Sequence, residues 1–164
     1  MFDTLTRIGA AGAGTSSYEI QRSLRIEDGD SAYLHRTFSS DGNLRLFTYS
    51  FWFKCEAGYN ADGLENSYPI FGAGYSGSGH TQGDSGIRID AGKLKIYHET
   101  NNSTDWSLEP AMMFVDPSAW YHLVMAFDTA QASADNRLKV WINGVQIETF
   151  TTTGRPAQDA DCKQ

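Results

Sequence analysis

Between positions 47 and 54 the side chains alternate without a break, Phe47, Tyr49, Phe51 and Phe53 against Thr48, Ser50, Trp52 and Lys54. Successive side chains of an extended strand point to opposite faces, so this run presents an aromatic row to a core and a mostly polar row to the other side. A helix would scatter the same rings around its circumference. The period of two returns over 120–128, where Tyr121, Leu123, Met125 and Phe127 face one way and Trp120, His122, Val124 and Ala126 the other, both rows reading as largely covered. It returns again where Leu138, Val140 and Ile142 alternate with Lys139 and Trp141. No stretch sustains the i, i+3, i+4, i+7 spacing of an amphipathic helix. The chain therefore reads as all-β, a sandwich of two antiparallel sheets.

Turn chemistry divides the pattern into elements. Asn143-Gly144 stands between two strands, and these residue types accept the positive φ values of a type I′ turn, so 138–142 and 145–150 are expected to form a hairpin. Ile87 to Asp90 and Leu94 to Tyr97 form a second hairpin around Ala91-Gly92. Tyr68 to Gly74 is a short strand with Pro69 at its entrance, followed by a Gly/Ser-rich loop from Tyr75 to Gly86. Leu24 and Ile26 share a face, Asp28-Gly29-Asp30 turns the chain, and Ser31 to Phe38 reads as extended. Residues 1–22 are rich in Gly, Ala, Ser and Thr and read as a flexible N-terminal arm for attachment or oligomerisation, leaving 23–164 for the sandwich. With 164 residues, 40% of them hydrophobic, the chain suffices for one domain with a core.

Charge excludes some functions. The 13 basic and 20 acidic side chains give a net charge of −7 and no basic stripe, which disfavours a nucleic-acid partner or an anionic membrane surface. Met1-Phe2-Asp3 begins with an acid where a signal peptide carries basic charge, and the densest apolar run, Ala111 to Val115, is far shorter than a membrane span. Cys55 and Cys162 lack CxxC spacing; two unpaired thiols are expected, with a disulfide between them as the alternative. With no export signal visible, the overlapping sequons at Asn101-Asn102-Ser103-Thr104 are expected to be only a polar turn.

Few residues look chemical. Gly83-Asp84-Ser85-Gly86 has the letters around the nucleophile of trypsin-like proteases, but four loop letters supply neither base nor orienting acid. No G-x-S-x-G elbow and no phosphate loop occurs. His35, His80, His98 and His122 lack metal-ligand spacing, and His122 reads as a structural imidazole. Asp28, Asp30 and Asp41 could hold calcium with backbone carbonyls, although acidic turns commonly stand without metal; no other cofactor is expected. The segment Tyr97 to Trp106 mixes aromatics with amides and hydroxyls. In it His98, Asn101, Asn102 and Trp106 are candidate glycan contacts, a ring stacking on the sugar while amides read its hydroxyls; the alternative is that Trp106 covers a sheet edge.

Five blocks occur in order: Ser23-Leu24-Arg25-Ile26 with Asp30-Ser31-Ala32-Tyr33-Leu34, Thr48 to Lys54, Ile70-Phe71-Gly72-Ala73-Gly74, Asp116 to Val124, and Val140-Trp141-Ile142-Asn143-Gly144-Val145. Their succession resembles the laminin G-like, concanavalin A-like jelly-roll domains, with the nearest likeness to those of tailed-bacteriophage structural proteins. The resemblance implies a lectin-like jelly roll on a virion, as tail fibre, appendage or capsid decoration, made in the host cytoplasm. It also implies contact with other virion proteins, self-association and a host-surface glycan. A free-standing lectin and a glycan hydrolase are the alternatives. Glucanases of this fold carry acids in an E-x-D-x-E run on one strand, and this chain has none. Relatives continue into further strands beyond the point matching Gly154-Arg155-Pro156, so the sandwich is expected either to lack its last strands or to be completed by a neighbour.

Overall fold

The computed structural model describes residues 24–26, 33–40, 42–55, 67–74, 84–101, 103–114 and 116–162. The chain divides into two units, Met1–Thr37 and Phe38–Gln164. In the first, the described residues 24–26 and 33–37 form no regular element, and Leu24, Ile26, Tyr33 and Leu34 are exposed. The strands expected from their alternation are thus absent among the described residues: side-chain period alone does not supply a backbone partner.

The second unit is a two-sheet sandwich. One sheet has the order β1 (Leu46–Phe53), β6 (Tyr121–Asp128), β7 (Leu138–Ile142) and β8 (Val145–Gln146). The other has β2 (Ser67–Gly74), β3 (Asp84–Asp90), β4 (Lys93–Thr100), β5 (Ser103–Pro110) and β9 (Phe150–Thr153). Every pairing is antiparallel. The four-residue helix α1 (Ala134–Arg137) sits between β6 and β7. Leu123, Met125 and Phe127 of β6 meet Leu138, Val140 and Ile142 of β7 on the inner face, and Ile87, Ile89, Leu94, Ile96 and Leu108 oppose them from the second sheet. The alternation at 47–53 is confirmed, with Phe53 buried and Phe47, Tyr49 and Phe51 packed against the same core. The other row of β6 is half-buried rather than covered.

Both two-residue turns take the expected form, with φ values of 48° and 76° at Ala91-Gly92 and 51° and 81° at Asn143-Gly144. Three boundaries differ from the sequence reading. Asp84 to Gly86 belong to β3 rather than to a loop, because Asp84, Ser85 and Gly86 pair with Gly74, Ala73 and Gly72. The segment 97–106 is a hairpin, β4 into β5, reversing at Asn101 (φ 53°), where polar cross-strand contacts replace the apolar signal: Thr100 Oγ1 donates to Asp105 (2.7 Å) and Thr104 Oγ1 to Glu99 (3.2 Å). The return strand after Gly144 is short. After one more bond, Ile147 N to Val140 O at 2.8 Å, the chain leaves this sheet and β9 joins β5 in the other.

Residues 154–162 run along the end of the sandwich and are pinned from both sides. Arg155 donates to Leu138 O, Thr129 Oγ1 to Ala160 O, Asp159 N to Thr129 O and Cys162 N to Leu44 O. The segment enters where Gly154 lies against β5, and a Cβ at Gly154 would stand 2.8 Å from both N and O of Ser107. Backbone cannot yield as a side chain can, so Gly154→Ala is expected to lower stability by about 1–3 kcal/mol, read as a shifted denaturation midpoint.

Candidate functional site

Two places hold polar and aromatic groups in an order that core packing alone does not require. The first lies between the sheets, beside a small cavity lined by Trp106, Met125 and Phe127 of the core. Ser85 on β3 is opposite His98 on β4, and Ser85 Oγ lies 2.9 Å from His98 Nδ1 and 3.0 Å from Cys162 Sγ. His98 Nε2 faces Asp105 Oδ2 at 3.6 Å. The letters Gly83-Asp84-Ser85-Gly86 thus acquire a histidine and an acid, which sequence spacing did not reveal. The serine nevertheless points inward: Ser85 is 7% exposed, and the cavity beside it measures about 10 Å³, too small for a sugar ring. Burial pushes the Cys162 thiol up to about 11, so it is a poor nucleophile.

Of the residues expected to bind a glycan, the structure brings His98 and Trp106 together but turns them to this interior. Trp106 is 8% exposed, its indole 6.2 Å from the His98 ring and 6.0 Å from Phe127. The bulge between His98 and Glu99 sets the register, and Trp106 takes the inner row with Leu108. With its ring packed in the core it has no face for a sugar; covering the sheet is its role. Asn101 is exposed at the turn, and Asn102 lies outside the described residues. The calcium candidates Asp28, Asp30 and Asp41 also lie outside them. Among the described residues no three His, Cys, Asp or Glu side chains come together to hold a metal. Cys55 and Cys162 are both free thiols.

The second place is the outward face of the four-stranded sheet. Trp52 on β1 is directly opposite His122 on β6, and the rings stack at 4.8 Å between centroids with 17° between planes. Ser50 Oγ, one outward position along β1, lies 3.0 Å from His122 Nε2 and fixes the imidazole. Asn143 ties the turn to the same residue: its Oδ1 accepts from His122 N (2.8 Å) and its N donates to His122 O (2.9 Å). The next pair outward is Lys54, whose Nζ lies 5.5 Å from the ring centre of Trp120. Trp141, on the outward row of β7, follows opposite Val124. Beside Lys54, the Asp116 carboxyl is held below the usual carboxylate range, first by the Ser118 hydroxyl and then by the Ser118 backbone N–H.

Trp52 is 47% exposed and Trp120 44%. A tryptophan on a sheet's solvent row removes apolar area from water only when something covers it, so such a row marks a contact surface. This face escaped the sequence reading, although the signal was present: Trp52 stands alone among the small polar residues of its row.

The family model for the concanavalin A-like lectin/glucanases superfamily matches residues 27–162. The chain belongs to that superfamily. The two antiparallel sheets are its jelly-roll sandwich. No curated protein and no solved structure is similar enough to count as a match. The superfamily holds both lectins and glucanases, so membership points to carbohydrate as the ligand class.

Proposed function

We propose that this chain is a non-catalytic glycan-binding protein that holds its ligand on the outward aromatic row of β1 and β6, displayed on a tailed-bacteriophage virion as a fibre, appendage or capsid decoration. The observation that carries the binding reading is Trp52. One face of its indole is stacked on His122, and among the described residues β1 has no strand on its other side in the sheet. A sugar's C–H face fits against such a ring, while Lys54, Ser50 and the turn amide of Asn143 offer polar contacts around it.

The non-catalytic part is supported by the absence of an E-x-D-x-E run and by the inward direction of Ser85. Display on a virion is supported by the ordered blocks that resemble phage structural proteins, and residues 1–22 would then dock the domain on other virion proteins.

Trp52→Ala should weaken glycan binding by about 1–3 kcal/mol, the scale of a lost aromatic anchor, with the β-type circular dichroism unchanged. A glycan array followed by calorimetry on the tightest ligand measures it. Unchanged affinity in a folded Trp52→Ala protein would move the site elsewhere. Proteomics of purified particles tests the virion part, which fails if the chain is made during infection but left out of particles.

A further inference from the structure

The outward face of the β3–β4 hairpin carries its charges in an unusual order. Along the register Asp84 is opposite Glu99, Gly86 opposite Tyr97, Arg88 opposite Lys95, and Asp90 opposite Lys93. An acid pair and a base pair therefore stand on either side of Tyr97. Like charges directly across a strand pair are destabilising, and a hairpin selected for its own stability would cross them. Internal contacts relieve part of this. Arg88 Nε donates to Asp90 (2.7 Å), the Arg88 guanidinium and the Lys95 ammonium lie 4.7 and 5.8 Å from the Tyr97 ring centre, and Glu99 accepts from Thr104. The polarity remains. Arg88, Lys93 and Lys95 outnumber Asp90 and the nearby Glu109 at one end, while Asp84 and Glu99 stand at the other.

The centre between the ends is low and flat. The Tyr97 ring lies across Gly86, where a Cβ would come within 2.5–2.6 Å of Oη, Cε1 and Cζ. Gly72, next in the same row, would place its Cβ no nearer than 4.0 Å to any atom outside its own neighbours. A face that is negative at one end, positive at the other and flat between is complementary to itself when turned end for end.

We propose that a second copy of this chain docks on this face about a two-fold axis running along the Gly72–Gly86–Tyr97 row, so that Asp84 and Glu99 of each copy meet Arg88 and Lys95 of the other. A two-fold axis parallel to the strands would set acid on acid, so the charge order selects the first arrangement. The Trp52 row lies on the opposite sheet and stays uncovered. Such a dimer presents two of these rows, and a ligand array bound by both would be held with an avidity that one copy lacks. The docking does not depend on that row binding glycan.

Sedimentation velocity of the full chain at low and high salt tests this. The wild type should self-associate at low salt and weaken about tenfold or more at high salt, since the contact is electrostatic. Arg88→Glu with Lys95→Glu makes the face wholly acidic at these four positions, and Asp84→Lys with Glu99→Lys makes it wholly basic. Each double variant should be monomeric, and an equimolar mixture should restore the dimer. Carbodiimide cross-linking of mixed ¹⁴N and ¹⁵N wild type gives a reading without substitutions: Lys95 and Glu99 are about 13 Å apart on one strand, so a zero-length link between them joins two copies. A wild type that stays monomeric at low salt, an acidic variant that associates like wild type, or a mixture of two folded variants that stays monomeric would each overturn the proposal.

Discussion

Phe127→Ala should remove about 3–5 kcal/mol of stability, the largest loss expected from any single substitution considered for this chain. Phe127 is 1% exposed and joins the two sheets: its ring stacks on Phe47 of β1 at 4.6 Å and lies 6.0 Å from Trp106 of β5. Leu138 faces it across the β6–β7 ladder. Truncation removes the transfer energy of the ring and leaves a hole that three strands cannot fill without breaking their ladders. Domains are commonly stable by about 5–15 kcal/mol, so the variant should stand close to unfolding at room temperature. Urea denaturation followed by circular dichroism measures the change. A loss below about 1 kcal/mol would mean that the sheets close over the site and that the packing between them is looser than described.

The residues that specify this core were legible because one face of each strand is dry. Phe47 to Phe53, Tyr121 to Phe127 and Leu138 to Ile142 each repeat with period two, and Asn143-Gly144 marks its turn by backbone chemistry that few other residues accept. The same logic fails where the inner row is itself polar. Ser85 and His98 face inward with Ile87 and Ile96, so the ends of β3 and β4 looked like loop, and β5 was hidden behind Ser103, Thr104 and Asp105. Trp106 stood between two readings for the same reason: its polar neighbours suggested a glycan contact, and the structure takes the alternative, in which it covers the sheet from the core side.

The outward row was hard to see from the opposite side. Residue type alone assigns a tryptophan to the core, yet Trp52 and Trp120 occupy solvent positions because the inner ones are taken by Phe51, Phe53 and Tyr121. The Trp52–His122 stack could not be inferred from either strand alone, since it depends on a pairing between residues 70 positions apart. Register, rather than residue type, creates both the outward tryptophan row and the charge order of the β3–β4 hairpin.

Stability should fall steeply between pH 9 and 11, and Cys162 should be responsible for much of the fall. Burial at the end of the sandwich, opposed by a weaker contribution from the Ser85 hydroxyl, pushes its thiol from 9.0 up to about 11. Below pH 9 both the folded and the unfolded chain keep the proton, so the contribution is fully present. From pH 9 to 11 only the folded chain keeps it, the unfolded state gains from ionisation, and the stability lost is about 2–3 kcal/mol for a shift of this size. The opposing contribution has a plain source: the Ser85 hydroxyl, 3.0 Å from Cys162 Sγ, can donate to a thiolate, but one hydrogen bond does not offset the burial. Tyr49, half-buried nearby and raised by burial to about 12, adds a further loss at higher pH, between 10 and 12. Urea midpoints at successive pH values, with reductant present, give the wild-type slope. Cys162→Val keeps the volume and removes the ionisation, so its slope between pH 9 and 11 should be markedly flatter. Equal slopes for the two proteins would show that this thiol is not what the sandwich protects from water.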